Sequence, residues 1–96
     1  MLKYIITDDA EDDIDEILDY IAEDDFTAAL DLYNRFLELF RILADNPNAG
    51  RLRADLNETW RSFPTGNYVI FYRNWAEEIS IMRVLHSARD FNELIN

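Results

Sequence analysis

Arginine and histidine side chains in the second half of the chain are the groups best suited to chemistry or to recognition. The six arginines and the chain's one histidine found there are Arg51, Arg53, Arg61, Arg73, Arg83, His86 and Arg89. A guanidinium is planar, always charged and able to hold a carboxylate or a phosphate through two hydrogen bonds. An imidazole can donate or accept a proton near neutral pH. The set therefore suits either contact with an acidic partner or proton transfer at a phosphate.

Catalysis by this set is weakly supported. Proton transfer in RNA cleavage needs a base, an acid and charge stabilisers that converge on one phosphate. Arg83, His86 and Arg89 alone make a thin set for this chemistry. One histidine is too few for the usual multi-histidine metal site, and the acidic runs lack the spacing of a calcium-binding loop. The sequence therefore predicts no catalytic residue, no metal and no cofactor.

The arginines allow more than one interpretation. Arg51 and Arg53 follow a helix-breaking loop, where they either contact a partner or are simply solvated. Arg61, Arg73 and Arg83 fall on neighbouring predicted strands and could align as a positive patch on one face. Alternatively Arg83, which lies within an apolar strand, pairs with an acid of the helices. For Arg83 we favour that pairing.

Acidic residues are concentrated at the start of the chain. Residues 1–31 hold twelve acids and one base, a sum of -11, and residues 32–96 hold eight acids and eight arginines, a sum of zero, so the net charge is -11. A protein of this sign is repelled by nucleic acid at long range. We therefore expect no sequence-specific binding to nucleic acid, and a protein partner is the better prediction.

The first half of the chain indicates a strand followed by a helical hairpin. Leu2 to Ile6 alternates like a short strand. An amphipathic helix follows, with Asp8 as its expected cap, and Glu23 to Asp25 suits the start of a second helix that runs to about Asp45. Leu32, Leu39 and Ile42 widen the apolar stripe of this second helix beyond what one packing surface requires.

The second half indicates an antiparallel meander. Thr59 to Phe63, Tyr68 to Arg73 and Ile79 to Leu85 are strand-like runs, and turn-type residues separate them. Ser87 and Asp90 form a capping box that predicts a short final helix through Leu94. We therefore predict an α+β fold, in which the N-terminal strand joins the meander and the hairpin covers one face of the sheet.

Length and composition indicate one cytoplasmic domain over residues 1–96. A second core would not fit in 96 residues, and 49% hydrophobic residues suffice for a folded core. The chain has no cysteine, which excludes disulfides and thiolate metal sites. Met1 to Thr7 is too short for a signal sequence or a membrane span, so no membrane contact is expected.

Several segments of the chain together carry a family resemblance. They are Ala10, Asp13, Ile17 and Tyr20, then Asn46 to Arg53, Trp60 to Phe63, Tyr68 to Tyr72, and Ile79 to Asp90. The Pro-x-x-Gly-Arg loop and the Arg-Val-Leu-His-x-Ala-Arg-Asp end, in this order, are fairly specific. With them the sequence resembles the ParE toxins, a branch of the ParE/RelE superfamily of type II toxin-antitoxin systems. Such toxins are often basic, and the acidic hairpin departs from that pattern.

The resemblance implies a toxin that poisons DNA gyrase through protein–protein binding. It also implies a hetero-oligomer with a co-encoded antitoxin, whose C-terminal segment wraps the toxin and holds it inactive. The expected target contacts are Arg51, Arg53, Arg61, Arg83, His86 and Arg89, and the expected antitoxin contacts are Leu32, Phe36, Leu39 and Ile42. Two alternatives remain: a RelE-like ribosome-dependent mRNA endoribonuclease, and an inactive antitoxin-binding module.

Overall fold

The computed structural model describes residues 3–56, 59–75, 77–91 and 93. In this part of the chain the elements, in order, are β1 (Lys3–Ile6), α1 (Asp8–Ala22), α2 (Phe26–Asp45), β2 (Arg51–Leu52), β3 (Trp60–Thr65), β4 (Tyr68–Asn74) and β5 (Glu78–His86). The predicted α+β order of strand, helical hairpin and meander is confirmed.

All the described strands belong to one mixed sheet with the order β1-β5-β4-β3-β2. Strands β3, β4 and β5 pair antiparallel as predicted, and β1 joins the sheet beside β5 as a parallel strand. Strand β2 was not predicted, because two residues carry no periodicity. Pro64 and Thr65 were predicted in a turn, but they extend β3, and Thr65 lies opposite Tyr68.

Helix α1 begins after Thr7, so the predicted cap at Asp8 is wrong. The Thr7 hydroxyl accepts a hydrogen bond from Ala10 N at 3.2 Å and donates one to Ile81 O at 2.9 Å. A hydroxyl can do both, whereas an ionised carboxylate only accepts, so threonine can tie the start of the helix to β5. Helix α2 is capped by Asp25, whose side chain accepts from Ala28 N at 3.0 Å. The predicted turn between the helices is confirmed.

The helical hairpin packs on one face of the sheet and forms the main core there. Its buried members come from both helices and from β4 and β5; they are Ala10, Ile14, Phe36, Phe40, Leu43, Ala44, Ile70, Tyr72, Ile79, Ile81 and Val84. The rings of Phe36 and Phe40 stack with centroids 6.3 Å apart. Helix α2 contacts α1, β1 and β5, which accounts for much of its wide apolar stripe.

The opposite face of the sheet carries a second, smaller apolar cluster. Its buried members are Leu56, Trp60, Val69, Phe71 and Leu85, and Met82 and Phe91 pack against them. No helix of the hairpin covers this face. The segment before β3 and the chain after β5 supply its outer members instead.

The chain beyond β5 is described in part. It makes a turn in which Arg89 N donates to His86 O at 3.0 Å, and Phe91 and Glu93 are helical. Leu94, the far end of the predicted final helix, lies outside the described residues. Within the described ranges, no helix is long and apolar enough to cross a membrane.

Candidate functional site

The turn after α2 is held by the hydroxyl of Tyr72. This hydroxyl donates to Pro47 O at 2.8 Å and accepts from Gly50 N at 2.8 Å. Burial raises the pKa of Tyr72, and the hydrogen bond from Gly50 opposes that effect. The phenol therefore stays protonated at neutral pH and keeps its donated bond. A core side chain of β4 thus fixes the segment from which Arg51 and Arg53 extend.

Gly50 lies in direct contact with the Tyr72 ring. A Cβ at this position would be 2.6 Å from Cε1 and from Oη of Tyr72, so any larger residue would force the turn or the ring to move. The Arg61 guanidinium donates to Gly50 O at 2.8 Å. Both polar groups of the Gly50 backbone are therefore bonded to side chains of the sheet. Arg61, predicted as a target contact, holds this turn.

Arg53 is anchored on the face of the sheet opposite the helical hairpin. Its guanidinium forms a two-pronged contact with Asp55 at 3.0 and 2.9 Å, and it donates to Ser62 Oγ at 3.3 Å. It also lies 5.9 Å from the ring centroids of Phe71 and Phe91. The hydrogen bond with Asp55 is the main cause of the raised pKa of Arg53. This arginine covers part of the second apolar cluster.

Arg51 and Leu52 are exposed, whereas Gly50 before them is buried and Arg53 after them is half-buried. The two exposed residues form β2, which pairs with β3 and ends the sheet on that side. An edge strand offers backbone donors and acceptors to a partner, and Arg51 adds a charge beside them. Of Arg51 and Arg53, Arg51 is therefore the more accessible to a partner.

The three arginines of the meander do not form one patch, so that prediction is wrong. Arg61 lies opposite Tyr72 and Arg73 lies opposite Trp60. Tyr72 and Trp60 belong to the clusters on opposite faces of the sheet, and so the two arginines diverge. Arg83 is drawn toward α1 by an ion pair.

Asp13 of α1 is the partner of Arg83. Nε of Arg83 lies 2.7 Å from Oδ2 of Asp13, and Nη2 lies 2.9 Å from Oδ1. Oδ2 also accepts from Val84 N at 3.1 Å. The bond with Asp13 is the main cause of the raised pKa of Arg83. The favoured interpretation of Arg83 as the partner of a helix acid is confirmed.

A groove of about 330 Å³ separates α1 from the end of β5. Its apolar lining includes Ile17, Tyr20, Ile21, Tyr68, Val84 and Leu85, and its polar lining is Asp13, Glu16, His86 and Arg89. Two of the predicted target residues, His86 and Arg89, thus come together here. Glu16 gives the groove a carboxylate that would repel a phosphate.

The ring of His86 contacts Tyr68 and the backbone of Ala88. Its ring packs edge-on against Tyr68 with centroids 5.5 Å apart, and its Nδ1 accepts from Ala88 N at 3.1 Å. In a neutral imidazole one nitrogen accepts and the other carries the proton. The accepting nitrogen is already occupied by the backbone. In the described ranges, no three His, Cys, Asp or Glu side chains are grouped in a way that could hold a metal ion.

The residues predicted for antitoxin contact differ in their exposure. Phe36 is fully buried in the main core between the hairpin and the sheet, here called the helix-side core. It is therefore a core residue and not a surface contact in this conformation. Leu32 and Leu39 are half-buried and pack against the same core. Ile42 is 40% exposed. Among the four, Ile42 is the one with substantial free surface.

Tyr72 is the positioning residue that the sequence did not reveal. In the sequence it is one residue of the strand-like run Tyr68 to Arg73, and its ring lies in the core. A buried tyrosine needs a partner for its hydroxyl, and that need was the available signal. The partners are backbone groups of Pro47 and Gly50, which are distant in sequence and follow no side-chain pattern.

These features define a small α+β domain with a helical hairpin on one face, an exposed basic edge and an amphipathic groove. Its accessible groups suit contact with another macromolecule. The family model described as the ParE toxin of the type II toxin-antitoxin system parDE matches residues 4–91. The chain therefore belongs to the ParE toxin family, as the sequence predicted.

Comparison with solved structures agrees on the fold. A structure titled as the chromosomal ParDE TA system from P. aeruginosa is similar, with a TM-score of 0.73. The match covers 90% of this chain and 96% of the other, at 24% sequence identity. Comparison with curated proteins finds no significant relative.

Proposed function

We propose that this toxin acts by binding DNA gyrase without catalysing a reaction, and that a co-encoded antitoxin neutralises it. The observation that carries the proposal is the match of the ParE toxin family over residues 4–91. ParE toxins are generally not enzymes. Gyrase works in the cytoplasm, so we expect the toxin to act there.

The side chains near the end of β5 support binding over RNA cleavage. Arg83 is held by Asp13, and the accepting nitrogen of His86 is held by Ala88 N. The three candidates for a nuclease are Arg83, His86 and Arg89, and of these only the side chain of Arg89 is not engaged in this way. A base, an acid and charge stabilisers must be available around one phosphate for efficient cleavage, and Arg83 and the accepting nitrogen of His86 are already engaged in other hydrogen bonds.

The target surface is proposed on two regions. The first is the exposed edge of Arg51 and Leu52, and the second is the groove that holds His86 and Arg89. Arg53 and Arg61 contribute indirectly, because they fix the segment that presents Arg51. The antitoxin contacts at Leu32, Leu39 and Ile42 remain a prediction, with Ile42 as the most accessible of them.

In cells that express the toxin, Arg51→Ala should weaken growth arrest about tenfold. The reason is the loss of an interface contact worth about 1–2 kcal/mol. His86→Ala should change it less than about fivefold, whereas loss of a general base would cost roughly 10²- to 10⁴-fold. The readout is the toxin level needed to arrest growth. Arg41→Ala is the matched control, because Arg41 is an exposed arginine of α2 whose ion pair with Glu38, at 3.7 Å, is also exposed.

The opposite pattern would identify the endoribonuclease alternative. In that case His86→Ala would abolish arrest, Arg51→Ala would be neutral, and expressing cells would show mRNA cut in phase with codons. If the wild-type protein does not arrest growth at all, the inactive antitoxin-binding module is the better interpretation. A small overlapping reading frame beside the toxin gene, with a DNA-binding head, would support the antitoxin.

A further inference from the structure

A second apolar groove lies between the two helices of the hairpin. Its volume is about 170 Å³, and its apolar lining is Leu18, Ala22, Phe26, Ala29, Leu30 and Tyr33. We call these six residues the hairpin groove. Phe26, Leu30 and Tyr33 are 72%, 48% and 37% exposed. A contiguous patch of exposed apolar side chains can mark an interaction site, whereas single scattered ones need no explanation.

The surroundings of the hairpin groove are strongly negative. Asp19 lines the groove, and Glu23, Asp24 and Asp25 form the turn directly before Phe26. Residues 8–31, which include all of α1 and this turn, hold twelve acids and no base. Such a field raises the local concentration of cations and opposes the approach of anions.

We propose that the hairpin groove binds a basic amphipathic segment of the antitoxin. Aliphatic or aromatic side chains of that segment fill the space between Leu18 and Leu30, and its lysines or arginines face Asp19 and the turn. This inference rests on the proposed function in one respect, namely that an antitoxin binds the toxin. A second copy of the chain would bring another acidic groove, and nucleic acid is itself an anion, so both are repelled.

The hairpin groove differs from the antitoxin surface predicted on the sequence. Ile42 follows Leu30 by twelve positions, which places it about 120° away around α2. Leu32 and Leu39 pack into the helix-side core, and neither lines the groove. The inference therefore moves the apolar contact to the side of α2 that faces α1, and it gives the acidic hairpin a role in recognition.

A pair of matched charge reversals tests the inference. The probe is the purified antitoxin encoded beside the toxin, titrated calorimetrically at about 50 and about 500 mM NaCl, where screening differs strongly. Asp19→Lys should weaken binding about fivefold to tenfold, because it replaces an attraction with a repulsion. Asp31→Lys carries the same change of net charge on an exposed position outside the groove. It should weaken binding less than about twofold, and high salt should weaken the wild-type complex.

Truncation of the apolar lining supplies the second arm. Phe26→Ala should weaken binding about tenfold while leaving the thermal unfolding of the toxin nearly unchanged, since Phe26 is mostly exposed. Ile42→Ala should weaken binding less than Phe26→Ala does. Binding that depends on Ile42 and ignores Phe26 would overturn the location. Tighter binding by Asp19→Lys or at high salt would show an acidic segment and overturn the proposed chemistry.

The remaining outcomes separate this inference from the proposed function. An antitoxin that binds the wild-type toxin but responds to neither Asp19→Lys nor Phe26→Ala overturns the hairpin groove alone. An antitoxin that does not bind the wild-type toxin at all overturns neutralisation, and the inference with it.

Discussion

Replacing Arg83 with methionine should lower the free energy of unfolding by about 2–4 kcal/mol, the largest loss expected from any single polar contact here. The variant leaves the Asp13 carboxylate without its guanidinium in a site where the two side chains are 12% and 19% exposed. The partial exposure keeps the expected loss toward the lower part of the range for buried pairs. Urea unfolding followed by circular dichroism measures it.

A double-mutant cycle separates the interaction energy of the Arg83–Asp13 pair from the cost of leaving one charge buried and unpaired. Asp13→Asn should cost less than Arg83→Met, because an amide oxygen can still accept from Arg83, whereas methionine offers the Asp13 carboxylate no donor. Arg83→Met combined with Asp13→Leu should recover much of the lost stability, since no unpaired charge remains. A double variant as unstable as the sum of the single variants would show that the two residues act independently.

Tyr72→Phe should weaken growth arrest about as much as Arg51→Ala, although Tyr72 itself is buried. The change removes the hydroxyl that bonds Pro47 O and Gly50 N, and it leaves buried backbone groups without that partner, at a cost of about 1–3 kcal/mol. The segment that presents Arg51 would then lose its fixed position. Unfolding measurements and growth arrest, read together, test this.

Gly50→Ala tests the contact between Gly50 and Tyr72 by changing the glycine. Its new Cβ would meet the Tyr72 ring, so the turn should shift at a cost of about 1–3 kcal/mol. Both variants should keep their affinity for the antitoxin, because the hairpin groove lies elsewhere. Full toxicity in a Tyr72→Phe protein of lowered stability would contradict the positioning role.

The regular elements were predictable because their signals are local. The stripe of α2 repeats at helical spacing over Phe36, Phe40 and Leu43, and burial of each such side chain is worth about 1.5–3 kcal/mol. Strands β4 and β5 stand out as short runs of β-branched and aromatic residues between turns. The segments that carry the family resemblance lie in these same elements, so the fold and the family could be predicted together.

The contacts that organise the site were harder to predict because their partners are distant in sequence. The cap of α1 was predicted at Asp8 and not at Thr7. The second partner of the Thr7 hydroxyl, Ile81 O, lies on β5, far away in the sequence. The divergence of Arg61 and Arg73 depends on which face each occupies, and the register between β3 and β4 decides this. Only for Arg83 did an apolar strand and a nearby acidic helix give the correct partner class.

Inhibition of gyrase in a purified system tests the central claim most directly. Wild-type toxin is added to DNA gyrase, relaxed plasmid and ATP, and an mRNA cleavage assay on translating ribosomes runs beside it. We expect dose-dependent loss of supercoiling that excess antitoxin relieves, about tenfold weaker inhibition by Arg51→Ala, and intact mRNA. Unimpaired supercoiling at toxin concentrations that arrest growth, together with cleaved mRNA, would contradict the account.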